Sequence, residues 1–367
     1  MKLNWNYDNS LLSVSAAVHK FCGLSYDYRP DDKIYNWLSE GGFNQLFVVL
    51  IDGMGTKILH EHLDDDSLFL SNVISEVNSV FPPTTAAATT SFLTCKSPRQ
   101  TGWLAWDQYF KEVDDVVMTF VGRGMFSFID HGSDFGFNTL PVEYIFEKMG
   151  DRAKAFYPFW GKYNPVNGFK ELMDNMVETS KDDSIKFAYF YDDAVDTLMH
   201  KQGPEYKGVE KLIAKRQRRL LLALDKMPKT TAVLVLADHG QIKANPLSID
   251  KDEKFRSYLV GDPALDSRIW SVRIKKGKKE EFESYVNDKY LDVLDIYDSN
   301  DVAKSSLFGP VGMGDHDRFE EFLGDFILIC KDNYNFTWDG LGVLKGVHSG
   351  PCDAEAKISV MGFTGQK

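Results

Sequence analysis

Three apolar runs organise the chain: Leu46–Ile51, Phe187–Tyr191 and Ala232–Ala237. Each is short, unbroken and rich in β-branched or aromatic side chains, the pattern of strands buried on both faces in a parallel sheet. Between them the apolar spacing changes to that of helices. Residues 9–22 place Leu11, Val14, Val18 and Phe21 on one stripe, with Ser10 as a cap and Gly23 as a stop. A second helix follows from about Gly55, and a long one over 206–227 carries Val209, Ile213, Leu220 and Leu224 on one face. In 80–95, Pro82-Pro83 precedes a run of small residues, which reads as a turn opening a closely packed helix. From about 246 to 322 the charge density rises. Arg268–Ile274 alternates like a half-exposed strand, Glu280–Lys289 reads as a helix and Val293–Tyr297 as another strand. This predicts a small α+β cap, 246–322, inserted in a catalytic core of 1–245 and 323–367, with Phe326–Cys330 returning to core-strand character. The stretch 102–180 mixes aromatics, glycines and short helical patterns and yields no element order.

Bulk properties narrow the function. The chain has 367 residues, enough for a large core, and an ordinary balance of 43% hydrophobic and 26% charged residues. A net charge of −12 argues against general binding of nucleic acid or anionic membrane. An anionic substrate would need local positive charge, which metal ions can supply. Cys22, Cys95, Cys330 and Cys352 are scattered, so no disulfide framework or zinc ribbon is expected. No secretory signal and no membrane-spanning run is read, and the expected setting is cytoplasmic.

The strand ends carry the chemistry. Ala237 is followed by Asp238, His239 and Gly240, Ile51 by Asp52 and Gly53, and Tyr191 leads into Asp192, Asp193, Asp196 and His200. Open α/β sheets bind ligands at that edge. Asp196 and His200, spaced i, i+4, share one helical face and suit a single ion, with His348 in its small-residue setting as a third ligand. Asp52, Asp238 and His239 form a second set. Mixed Asp and His ligands favour zinc, or else manganese, over magnesium or calcium. Two such ions about 4 Å apart would clamp the oxygens of an in-line displacement at phosphorus. The candidate nucleophile is in the Thr84-Thr85 pair, at the start of a helix whose free N–H groups would face a phosphate.

With these pieces in place the chain resembles the alkaline phosphatase superfamily, in its nucleotide pyrophosphatase/phosphodiesterase branch. The matching segments are Val48–Gly55, Phe81-Pro-Pro-Thr-Thr85 through Thr94, Asp196-x-x-x-His200 with Gly203-Pro204, Ala237-Asp-His-Gly240, and His348, in the family's order. The resemblance implies a doubly wound α/β fold with a variable cap. It implies one ion on Asp196, His200 and His348, and another on Asp52, Asp238, His239 and the nucleophile. Counting back from Thr94 makes that nucleophile Thr85, with Thr84 as the fallback, and implies a covalent phosphothreonine. Two departures stand out. The branch carries asparagine three residues after the nucleophile, where this chain has Ala88, and Cys95 replaces a glycine after Thr94.

Other features read as structural. His19, His60, His62, His131 and His316 lack motif support, Gly53-Met-Gly55 lacks the third glycine of a dinucleotide loop, and the basic run Lys211–Arg219 reads as a solvated helix face. Trp103, Trp106, Phe126 and Phe128 read as packing rather than base-stacking residues. The expected partner is a small phosphate ester, and the expected activity a phosphodiesterase or pyrophosphatase. The alternatives are a phosphomonoesterase, phosphonate hydrolase or phosphomutase using the same residues, and a metal-stabilised domain that binds a phosphorylated ligand.

Overall fold

The computed structural model describes residues 3–158, 163–338 and 343–367. Its centre is a seven-stranded sheet. Gln45–Ile51 lies between Phe187–Asp192 and Thr231–Leu236, parallel to both, and all three are buried along their length. Such strands shed water from both faces, which is why their sequences do not alternate. Ala153–Pro158 and Pro165–Val166 extend the parallel pairing on one side. On the other, Lys357–Thr364 runs antiparallel to Thr231–Leu236, and Val73–Asn78 antiparallel to Lys357–Thr364. Two groups of helices flank the sheet. Leu11–Phe21 packs with Asp32–Glu40 and Thr85–Thr94, and Lys207–Leu224 packs with Phe169–Thr179 and Ala194–Gln202. The expected mostly parallel α/β core is the one observed.

A second seven-stranded sheet is antiparallel throughout. Its order is Leu294–Asp298, Phe326–Cys330, Ile269–Val272, Ala264–Asp266, Asp107–Phe110, Asp115–Met118 and Arg123–Gly124. Alternate side chains feed two apolar clusters. Ile327 and Ile329 pack with Phe110, Trp103 and Phe308, whereas Phe326, Leu328 and Cys330 pack with Phe282, Trp270 and Phe255. Both faces are therefore covered, and Phe326–Cys330 reads as continuously apolar for the same reason as the central strands. The stretch 246–322 contributes three of the seven strands. Phe326–Cys330, read above as core, pairs inside this sheet, and strands from 107–124 complete it. In the central sheet, Ile51 pairs with Asp192 and Leu50 with Leu236. Three polar strand ends thus reach the same edge.

Candidate active site

Asp52 follows its strand directly, and Gly53 then turns the chain with φ +71. A Cβ at Gly53 would stand 3.0 Å from the Asp196 side chain, so glycine is required both for the left-handed turn and for the close approach. The Gly53 and His239 N–H groups donate to Asp238 Oδ1 at 3.1 and 3.0 Å, fixing that carboxylate between two strand ends. Asp196 and His200 occupy the Ala194–Gln202 helix, with His200 Nε2 3.0 Å from Asp196 Oδ2. His348 follows the short strand Gly346–Val347, whose pairing with Ile242–Lys243 carries it beside the His239 loop. The two rings stack with centroids 4.0 Å apart.

Thr85 is the first residue of the helix Thr85–Thr94. Its hydroxyl lies 3.2 Å from His239 Nε2 and 3.4 Å from Asp52 Oδ2. Thr84, the N-cap, instead donates its hydroxyl to Asp266 Oδ2 at 2.5 Å. The first backbone bond of that helix runs from Ala88 N to Thr84 O, leaving the N–H groups of the preceding turn without intrahelical acceptors.

All seven sequence-predicted residues converge. Ligand atoms of Asp52, Asp238 and His239 lie within 4.8 Å of one another, and so do those of Asp196, His239 and His348. His239 thus bridges the two groups. His200 joins through its bond to Asp196, with its ring centroid 5.1 Å from that of His348.

The electrostatics call for added positive charge. Burial, reinforced by Asp238 and Asp196, drives the Asp52 carboxyl well above the usual range, and burial also raises Asp238. Burial opposes ionisation of Asp196, but His200 outweighs it and holds the group below the usual range. In return, despite burial, Asp196 lifts His200 to about 9. Burial and the neighbouring His239 push His348 well down. Asp52 Oδ1, Asp238 Oδ2 and His348 Nδ1 are buried without a hydrogen bond among the described residues, a costly state unless something else satisfies them. Meanwhile Nδ1 of His200 faces the Gly346 carbonyl at 2.8 Å and Nδ1 of His239 faces the Gly240 carbonyl at 3.0 Å. Those carbonyls accept from Nδ1 and aim each Nε2 at carboxylate oxygens, the nitrogen a metal ion would take. Nε2 and carboxylate oxygen can face each other only with a proton or a cation between them, and an ion replacing that proton would also satisfy the unpaired carboxylate oxygens, so the donor set fits divalent ions.

Several contributors carried no readable signal. Tyr191, the last aromatic of its strand, donates its hydroxyl to Asp52 Oδ2. Asp192 is held by both Arg216 Nε and Nη2 at 2.9 Å, a buried bidentate pair that explains why it stays out of the cluster. A cavity of about 380 Å³ opens beside Thr85, lined by Thr89, Phe120, Ser133, Asp134, Phe137, Tyr144, Tyr157, Tyr163 and Tyr191. Most of these residues come from the stretch that showed no pattern. Trp103, Trp106, Phe126 and Phe128 do not line it. Trp103 is buried in the apolar cluster on one face of the second sheet and donates to the Leu140 carbonyl. Of the histidines set aside, His131 pairs with Asp115 at 2.8 Å. Cys95 sits at φ 56, ψ 40, the left-handed conformation that glycine adopts freely, which accounts for the glycine expected there. All four cysteines are free, and among the described residues no helix is long and apolar enough to cross a membrane.

Comparison with known proteins agrees with this fold. The chain superimposes on murine ectonucleotide pyrophosphatase / phosphodiesterase 5 with a TM-score of 0.64 at 14% identity, covering 86% of this chain and 87% of that one. An inactive threonine-to-alanine form of the murine protein, in complex with AMP, gives 0.63 at 14% identity over 86% and 87% of the two chains. Phosphonoacetate hydrolase from Sinorhizobium meliloti 1021, in complex with phosphonoformate, gives 0.61 at 14% identity over 87% and 89%. A sequence search of curated proteins returned no match. The family pattern of type I phosphodiesterase / nucleotide pyrophosphatase matches residues 106–350, a span that includes Asp196, His200, Asp238, His239 and His348. With the fold, the converging carboxylates and imidazoles and this match in hand, the chain belongs to the type I phosphodiesterase / nucleotide pyrophosphatase family, phosphoric ester hydrolases of the alkaline phosphatase superfamily.

Proposed function

We propose that the protein hydrolyses a phosphodiester or pyrophosphate bond with Thr85 as nucleophile and two divalent ions, zinc or else manganese. Asp196, His200 and His348 would hold one ion, and Asp52, Asp238, His239 and Thr85 the other. When bound, the ions supply positive charge that acidifies the threonine hydroxyl and neutralises phosphoryl oxygens. The observation that carries this reading is the pair of imidazoles presenting Nε2 to carboxylates while each Nδ1 faces a backbone carbonyl.

The chain's own groups then do the following. The open N–H groups at the start of the Thr85–Thr94 helix receive phosphoryl oxygens. Thr85 Oγ1 gives up its proton to water and attacks phosphorus, the ester P–O bond breaks, and the leaving oxygen departs with the bonding pair and takes up a proton from water. Water then attacks the phosphothreonine and the Thr85 hydroxyl is restored. The aromatic walls of the adjoining cavity suit the apolar or aromatic portion of the ester. This favours a diester or a nucleotide-like substrate over a small phosphonate or a bare monoester. A cytoplasmic setting belongs to the same reading, supported by the four unpaired cysteines.

The test is Thr85→Ala assayed on an aryl phosphodiester beside an aryl monoester. The wild type should prefer the diester, and the variant should lose at least about 1000-fold in kcat. Unchanged turnover would remove Thr85 from the mechanism.

A further inference from the structure

Gln241 stands immediately beyond Asp238-His239-Gly240 and is 1% exposed. Its Nε2 donates to Asp196 Oδ1 at 2.5 Å, while its Oε1 is buried with no hydrogen-bond partner among the described residues. A Cβ at Gly346 would lie 2.2 Å from that Oε1, so the amide occupies its place only because position 346 is glycine. As a core residue this glutamine is a poor choice. Leaving a buried carbonyl unsatisfied is unfavourable, and an apolar side chain of the same length would fill the space without that cost. What the amide does is claim one oxygen of Asp196. The other, Oδ2, faces His200 Nε2 at 3.0 Å.

We propose that Gln241 is a positioning residue for the ion held by Asp196, His200 and His348. By occupying Oδ1 it would leave Oδ2 as the carboxylate oxygen available to an ion. A neutral donor is the group that can do this. A lysine or arginine in its place would cancel one of the few negative charges available to the ion, whereas an amide orients the carboxylate without removing its charge. This inference rests on the metal-dependent reading above.

The experiment compares wild type, Gln241→Met and Gln241→Leu, each stripped of metal and titrated with Zn²⁺ and Mn²⁺ in competition with a chromophoric chelator. Melting temperatures of the metal-free proteins are measured in parallel. The wild type should take up two ions. Both variants should bind one ion about 10- to 100-fold more weakly, the usual effect of losing a hydrogen bond behind a metal ligand. The other ion should be unaffected, and the metal-free melting temperatures should stay within a few degrees. Using two apolar replacements keeps the test open if one variant folds poorly. Unchanged affinity for both ions would overturn the role of Gln241 and leave the metal-dependent reading standing. A wild type that binds no divalent cation would overturn both.

Discussion

At the scale of single residues, the two adjacent threonines show how one position decides chemistry. Thr84 is the N-cap and spends its hydroxyl on Asp266, whereas Thr85, one residue on, faces His239 and Asp52. Both were legible as candidates, but backbone geometry alone separates them. Tyr191 makes the complementary point. Its hydroxyl bonds to Asp52, yet in the sequence it is one more aromatic in an apolar strand. Tyr191→Phe removes only that oxygen. We expect the variant to fold with an unchanged melting temperature and to lose about 10- to 100-fold in kcat, as when a bond that orients a metal ligand is deleted. Steady-state kinetics checks this, and an unchanged kcat would make the contact incidental.

At the scale of elements, the Leu11–Phe21 helix supports the Thr85–Thr94 helix, with Ser15 Oγ donating to the Phe92 carbonyl at 2.5 Å. Within it His19 is fully buried. Its Nδ1 faces the Ser15 carbonyl at 3.0 Å, and its Nε2 has no partner among the described residues. Burial therefore lowers the His19 pKa to about 4. The folded protein resists a proton that the unfolded chain accepts near pH 6.5, so the stability tied to a neutral His19 is present above about 6.5. It is lost as pH falls from there toward 4, by an amount on the order of 3 kcal/mol. Urea unfolding between pH 4 and 7 should show a shallower pH dependence for His19→Gln than for wild type. Parallel curves would contradict the assignment. The element carrying His19 was readable from its stripe and cap. That this histidine is buried, on a helix that packs against the Thr85 helix, was not, because the packing partner is more than 70 residues away in sequence.

At the scale of the whole molecule, two seven-stranded sheets and three apolar clusters frame a cluster of buried carboxylates and imidazoles. Removing divalent ions would leave Asp52, Asp238 and Asp196 facing one another out of water. We expect a chelator to lower the melting temperature and added Zn²⁺ to restore it. The stabilisation should be about 2.7 to 4 kcal/mol for ion concentrations 100 to 1,000 times Kd. Differential scanning calorimetry reads this directly, and a melting curve indifferent to chelator would speak against resident ions.

The central strands, the helix after Pro82-Pro83 and all seven clustered residues were visible in the chain because their causes are local. A strand buried on both faces must be apolar throughout, a helix needs its cap and stripe, and a carboxylate or imidazole at such a strand's end has few structural excuses. The second sheet, the aromatic cavity beside Thr85 and the donors Tyr191 and Gln241 were decided by tertiary structure. The strands of 107–124 meet those of 264–272 only through pairing across more than 140 residues. The cavity takes most of its walls from short segments within 120–163, too brief to show a period. A glutamine or tyrosine acquires its role only from the carboxylate that folding sets against it.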